Sequence, residues 1–354
     1  MSLFYSLARP ILHRLDPEKA HQYAVRALAS GLVPKSTAID NIMLKQHVFG
    51  LEFHNPVGMA AGFDKNAEAV NGLAGQGFGF VEVGTVTPKP QDGNPAPRMF
   101  RLKEDEAVIN RLGFNNEGSD AMRARLSKLP KQPIVLGINI GRNKECDDPV
   151  ADYQHLVTHM FDAANYITIN VSSPNTKGLR DMQQKRQLHD LLSAVTTTHQ
   201  AQKAKANKHV PLLLKISPDI DGDTKEDIAE LALSFKLDGL IISNTTIKRP
   251  NTLKHVSHHE LGGLSGKPLM TASTKLLGDM YGLTKGEIPL IGVGGISSAD
   301  DAYQKILAGA SLVQIYTAFV YQGFGLVKKI NTGLIERLKQ DGYTHISEAV
   351  GKAY

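Results

Sequence analysis

The stretch Tyr166-Ile167-Thr168-Ile169-Asn170-Val171-Ser172-Ser173-Pro174-Asn175-Thr176 decides the fold. Its first six positions form a short, β-prone run, and the residues after them are polar and turn-forming. A strand buried on both faces reads as such an unbroken run, the mark of a parallel sheet covered by helices. The unit recurs along the chain. Residues 57–60, 80–83 and 134–138 precede it, and 212–216, 240–242, 290–293 and 312–315 come after it, with helix-like stretches between. Eight βα units of the α/β class predict a (β/α)8 TIM barrel, with a doubly wound sheet as the other arrangement. The barrel is favoured because a polar or glycine-rich cluster closes every run at its C-terminal end, where barrels assemble their sites.

The 354 residues are 42% apolar, 21% charged and 6% aromatic, which excludes disordered and fibrous classes. Forty lysines and arginines face 35 acidic residues, and a net charge of +5 on so long a chain is too dilute for a nucleic-acid groove. Cys146 is the one cysteine, so no disulfide framework or cysteine metal cage is expected, and a reducing compartment is. No apolar run approaches the ~20 residues of a membrane span. The first residues lack the pattern of a secretory signal.

Residues 1–35 read as a separate helical hairpin, and 36–354 as the barrel. Leu3, Leu7, Ile11 and Leu15 make an apolar stripe with Phe4 and Leu12 beside it, and Asp16-Pro17 starts a second helix. Arg9, Arg14, Lys19, Arg26 and Lys35 face only Asp16 and Glu18. The pair either docks on the main domain or lies on a membrane as a basic, apolar foot. The insertions 88–116 and 248–268 are candidate lids, and the polar stretch 199–209 reads as a solvated helix end.

The strand-end clusters are Ala61-Gly62-Phe63-Asp64-Lys65, Gly84-Thr85-Val86-Thr87-Pro88, Asn139-Ile140-Gly141, Asn170 onward, Lys215, Ser243-Asn244-Thr245-Thr246, Gly292-Val293-Gly294-Gly295 and Tyr316-Thr317. Taken singly, each asparagine is a turn or cap residue. Four around one mouth suit a planar, heteroatom-rich ligand, because amides offer both donors and acceptors. The glycines after the seventh run, with Tyr316-Thr317 after the eighth, lie where barrels bind phosphate through backbone N–H groups. Their spacing is not that of the dinucleotide fingerprint.

In its longer motifs the chain resembles class 2 dihydroorotate dehydrogenase, the membrane-associated, quinone-reducing family. The resemblance spans nearly the whole chain. It rests on Ala61 to Lys65, Asn110-Arg111-Leu112-Gly113-Phe114-Asn115, Asn170 to Thr176, Ser243 to Thr246, Gly262-Gly263-Leu264-Ser265-Gly266 and Gly292 to Gly295, in that order. It implies FMN contacts at Ala61, Gly62, Lys65, Thr85, Asn139, Asn170, Lys215, Ser243, Gly266, Gly295, Tyr316 and Thr317. It implies orotate contacts at Lys65, Asn110, Arg111, Leu112, Gly113, Phe114, Asn170, Asn175, Asn244 and Thr245. Ser173 matches the family's catalytic base, where the fumarate- or NAD-linked class carries a cysteine.

The implied reaction is oxidation of (S)-dihydroorotate to orotate in pyrimidine synthesis, with FMN as hydride acceptor and a membrane quinone as electron acceptor. His21, Arg101 and Tyr316 are the implied polar groups at the quinone head, with Leu3, Leu7, Ile11 and Leu15 along its tail. A serine is a poor base, so Ser173 needs activation, for which Thr176 and a water are candidates. Lys215 suits stabilisation of a reduced flavin, or alternatively a Schiff base in an aldolase-like barrel without flavin. His255, His258 and His259 lack partners at a metal-ligand spacing, so no metal is expected. The remaining expectations are a monomer, no nucleic-acid partner, and peripheral contact with anionic lipid at the cytoplasmic face of a bacterial inner membrane.

Overall fold

The computed structural model describes residues 9–10, 14–37, 39–129 and 134–353. Helix α1 (Pro17–Ala29) begins where the Asp16-Pro17 signal predicts. The Asp16 carboxylate accepts from the N–H groups of Glu18 and Lys19, at 3.1 and 3.0 Å. Leu3, Leu7 and Ile11 lie outside the described residues. Val25, Leu28 and Val33 belong to the same apolar core as the barrel and its helices.

A hairpin that the sequence pattern does not announce comes next, β1 (Gln46–Val48) and β2 (Leu51–Phe53), paired antiparallel. Its two turn residues, Phe49 and Gly50, have φ of 56° and 76°, the left-handed pair that a tight hairpin turn requires. Val48, Phe49 and Phe53 pack against Phe80, Tyr166, Leu213, Ile241, Ile291 and Leu312, which point inward from the barrel. The hairpin therefore plugs one end, and the other is left for chemistry.

All eight expected runs are strands of one closed parallel barrel. They are β3 (Val57–Met59), β4 (Phe80–Val86), β7 (Val135–Ile140), β8 (Tyr166–Asn170), β9 (Leu212–Ile216), β10 (Gly239–Ile242), β12 (Leu290–Val293) and β13 (Ala310–Ile315), adjacent in that order with β13 returning to β3. The helices between them include α2 (Val70–Ala74), α3 (Gly118–Leu126), α4 (Pro149–Met160), α5 (Lys185–Ala206), α6 (Gly222–Ser234), α7 (Met270–Leu283) and α8 (Ala299–Leu307). After β13 come α9 (Thr317–Gln322) and α10 (Leu326–Gln340). β4 and β7 run three and two residues past their apolar runs, so Thr85 and Asn139 stand inside strands.

The two candidate lids are one structure. β5 (Met99–Leu102) and β6 (Ala107–Asn110) come from the first insertion, β11 (Gly263–Gly266) from the second, and they form an antiparallel sheet in the order β11-β6-β5. Leu102, Ala107, Ile109 and Leu264 give it a small core of its own. The solvated helix end expected at 199–209 needs one correction: His199 is buried, its Nε2 2.6 Å from the Val210 carbonyl, while Lys203 and Lys205 are exposed.

Candidate functional site

The open end of the barrel, the cap sheet and α1 enclose one cleft of about 1910 Å³, part of it open to solvent. Of the residues expected to meet a flavin, all but Asn139 line this cleft, and of those expected to meet the substrate, all but Arg111 do. Ser173 lines it too. Asn139 is fully buried one layer down and touches the lining residues Thr85 and Asn170. Arg111 turns outward, pairing with Glu260 at 2.7 Å and stacking over Phe100, and so joins the two insertions.

Three loops hold the substrate side together. The Asn175 side-chain amide donates to the carbonyl of Asn110 at 3.1 Å, and Asn94 donates to the carbonyl of Asn175 at 3.1 Å. Arg180 binds the Ser172 carbonyl at 3.0 Å and the Thr245 carbonyl at 2.8 Å, and is itself held by Asp219 at 2.8 Å. This fork fixes the loop after β8, with Ser173, against the loop after β10, with Asn244 and Thr245. Ser173 is buried, and its Oγ accepts from the Asn175 N–H at 3.2 Å. Thr176 buries a hydroxyl that has no hydrogen-bond partner.

Two cations face the same space. Burial pushes the Lys65 ammonium down to about 8, although Glu18 nearby favours its charge. Burial also presses Lys215 below the usual lysine range, and Glu82 is the group that opposes it. Two lysines in a cleft of asparagines fit an anionic, heteroatom-rich ligand.

The glycine cluster after β12 is built for close approach. Gly294 and Gly295 have φ of 103° and 84°, and a Cβ on Gly295 would collide with the backbone of Met270. The loop is braced from behind, with Lys305 Nζ donating to Ser273 Oγ at 2.6 Å and that hydroxyl lying 2.9 Å from the Gly294 carbonyl. Beside it, Gln314 lines the cleft with a buried Oε1 that has no partner. A phosphate-bearing planar ring meets both features, by backbone N–H groups at one end and a waiting acceptor at the other.

Ala20, His21, Ala24 and Leu28 of α1 form the far wall, so the cleft turns apolar there. His21 lies 5.0 Å from the Phe63 ring and 6.1 Å from Tyr316, and Arg101 lines the same end. Burial and the Lys65 charge push His21 down to about 3, so its imidazole is neutral at working pH. Leu15 is 36% exposed and does not line the cleft.

Sequence reasoning missed Glu82, Gln314, Ser172 and the Arg180–Asp219 pair. The signal for the first two was a charge or an amide inside an otherwise apolar strand. The histidines of the second insertion serve its local structure, with His255 Nδ1 accepting from the Ser257 N–H at 3.1 Å.

A family model described as dihydroorotate dehydrogenase matches residues 43–338. The dihydroorotate dehydrogenase (quinone) of Parvibaculum lavamentivorans is 53% identical over 99% of both chains. The mitochondrial dihydroorotate dehydrogenase (quinone) of Mus musculus is 50% identical over 97% of this chain and 88% of its own. The crystal structure of Eimeria tenella DHODH in complex with ferulenol superposes with a TM-score of 0.91 at 43% identity, covering 95% of each chain.

Proposed function

The chain belongs to the dihydroorotate dehydrogenase family, and from that premise we propose that the cleft holds FMN at the strand ends, dihydroorotate under the cap sheet and a quinone head beside α1. The activity is oxidation of dihydroorotate to orotate with a quinone as electron acceptor, a step of pyrimidine synthesis, and the cofactor is a flavin. The Schiff-base aldolase reading of Lys215 is not favoured by these relatives.

The observation that carries the site assignment is Ser173, a buried hydroxyl that lines the cleft and is locked between the asparagine-bearing loops. FMN, when bound, supplies the hydride acceptor and hands the electrons on to the quinone. Gly295 and Thr317 would hold its phosphate. Ala61, Gly62, Thr85, Asn139, Asn170, Lys215, Ser243, Gly266 and Tyr316 would hold the rest. Asn110, Asn175, Asn244 and Thr245 present amides and hydroxyls to the substrate ring, and Lys65 offers a cation to its carboxylate. Ser173 takes the proton from the substrate carbon. The unpartnered Thr176 hydroxyl supports a relay that carries this proton off through a water.

At the other end, neutral His21, Arg101 and Tyr316 would meet the quinone head, and the apolar wall of α1 its tail. Among the described residues no helix is long and apolar enough to cross a membrane. Tyr23 and Leu32 are nonetheless 51% and 83% exposed, and Arg14, Lys19, Arg26 and Lys35 of the same stretch are exposed too. This pattern supports peripheral contact with anionic lipid.

The test is optical. The purified protein should be yellow, release FMN on denaturation, bleach with dihydroorotate and recolour with quinone. A colourless protein, or a flavin that dihydroorotate does not bleach, would overturn the reading.

A further inference from the structure

A single row of hydrogen bonds connects the barrel interior to the substrate mouth, and it has a direction. Glu82, on β4, is 0% exposed. Its oxygens accept from Asn139 Nδ2 at 2.8 Å, Gln314 Nε2 at 2.8 Å, the Tyr166 hydroxyl at 2.9 Å and Thr168 Oγ1 at 3.4 Å. A carboxylate only accepts, so Asn139 must turn its nitrogen toward Glu82 and its oxygen away. That oxygen takes the Thr85 hydroxyl at 2.5 Å and Asn170 Nδ2 at 2.9 Å. The second hydrogen of Asn170 Nδ2 goes to Thr85 Oγ1 at 2.9 Å, which leaves Asn170 only its oxygen to offer onward. Ser172 donates to that oxygen through Oγ at 2.7 Å and through its N–H at 3.1 Å. With its proton committed, the Ser172 hydroxyl accepts from Asn244 Nδ2 at 2.9 Å, and Asn244 Oδ1 accepts from the Thr245 N–H at 2.7 Å. Every side-chain donor in the row points back toward Glu82.

We propose that Glu82 and Ser172 are positioning residues that fix Asn139 behind the cleft wall and hold Asn170 and Asn244 in one amide orientation toward the ligands. Neither of the two lines the cleft. The inference rests on the proposed assignment of Asn170 and Asn244 to the ligands. An asparagine amide reads almost the same in either orientation, so a row of them carries no direction unless one end is restricted to accepting. Glu82 is that end. Ser172 is the hydroxyl that passes the direction across from β8 to the loop after β10. Linked hydrogen bonds in a dry interior polarise one another, so a break at one link is felt at the next.

Two variants of the holoenzyme test this, each with FMN content, melting temperature and orotate affinity measured from the perturbation of the flavin spectrum. Glu82→Gln keeps the shape but admits either amide orientation, and Ser172→Ala removes the middle link. Both are expected to retain FMN and bind orotate about tenfold more weakly. In a double-mutant cycle, Ser172→Ala added to Asn244→Ala should cost little beyond Asn244→Ala alone. Parental orotate affinity in Ser172→Ala, or independent additive losses in the cycle, overturns the proposal. So does a fall in melting temperature and FMN content with affinity unmoved, which is what a merely structural role would give. If Glu82→Gln does not fold, the Ser172 arm decides. If Asn244→Ala alone binds orotate like the parent, the assignment of Asn244 to the substrate falls. Losses in Glu82→Gln and Ser172→Ala would then still place the row's action at Asn170.

Discussion

Arg98 grips Glu18 with two nitrogens, Nε at 2.9 Å and Nη2 at 2.7 Å, and so fastens the first turn of α1 to the segment that leads into β5. The third nitrogen of the fork braces the carbonyls of Asp92 and Asn94, at 2.6 and 2.7 Å. Asn94 reaches on to Asn175, so a continuous path of contacts runs from α1 to the substrate loop. The two side chains are only 15% and 17% exposed, which makes the pair costlier to break than a surface ion pair.

Arg98→Ala should therefore loosen both ends of the cleft. We expect a stability loss of about 1–3 kcal/mol, since Glu18 is left half-buried without its partner. KM should rise for quinone and, through Asn94 and Asn175, for dihydroorotate. Thermal unfolding and steady-state kinetics with each substrate varied check this. Parental KM values would show that the pair holds α1 without shaping the site.

Ser173→Ala should keep FMN and still bind orotate, because the asparagines and both lysines are untouched. What it lacks is the proposed proton acceptor, so stopped-flow reduction of the flavin by dihydroorotate should slow by about 10²–10⁴. Ser173→Cys should recover little of the rate, since the surroundings that activate a hydroxyl, Thr176 among them, are not those of a thiol. Near-parental reduction in the alanine variant would remove Ser173 from the chemistry.

Lys65 gives the cleft a pH limit. Its pKa is lowered to about 8, first by burial, so the free enzyme loses this cation as pH rises through that value. A bound substrate carboxylate favours the charged form and raises the pKa in the complex. The loss should accordingly appear in kcat/KM more than in kcat, with kcat/KM for dihydroorotate falling above pH of about 8. Lys65→Arg keeps its charge throughout and should abolish that limb, at the cost of a poorer fit. An unchanged limb in the arginine variant would assign it to another group.

The barrel was legible because its strands are buried on both faces and so read as apolar runs, from Val57 to Ile315. The limits of that reading have a physical cause at Thr85 and Asn139. Thr85 is polar because it lines the cleft and Asn139 because it holds Thr85 and Asn170 from the layer beneath, and that polarity disguised the last residues of β4 and β7 as loop. The cap sheet was hidden for another reason: Asn110 pairs with Gly263, and no local pattern announces a contact between segments so far apart in sequence. The strands of the β1–β2 hairpin are three residues each, too short for a period to show. The glycines at 294 and 295 were readable as a point of close backbone approach, because a positive φ and crowding where a Cβ would sit demand glycine. Glu82 was passed over inside an apolar strand, and only the structure shows how many donors converge on it.

The last prediction concerns how the enzyme meets its lipid-soluble acceptor. A quinone tail leaves a bilayer at a cost of ~0.8 kcal/mol per methylene, so the proposed quinone site requires the apolar end of the cleft to reach the lipid. Deleting α1 would be a poor test. Val25, Leu28 and Val33 pack in the barrel's own core, and the Leu28 backbone lies where a side chain at Gly72 would have to go. Tyr23 and Leu32 offer a cleaner one, because both are exposed and their loss leaves that core intact. Replacing both with aspartate removes apolar area and adds two negative charges to the stretch that carries Arg14, Lys19, Arg26 and Lys35. Sedimentation with anionic vesicles should then fall by at least about tenfold, as two buried side chains and the lipid attraction are lost together. Flavin reduction by dihydroorotate should be unchanged, and turnover should drop for a long-tailed quinone in vesicles but not for a short-tailed, water-soluble one. Parental vesicle binding, or equal losses with both quinones, would mean that this face does not rest on the membrane and that the exposed residues serve α1 alone.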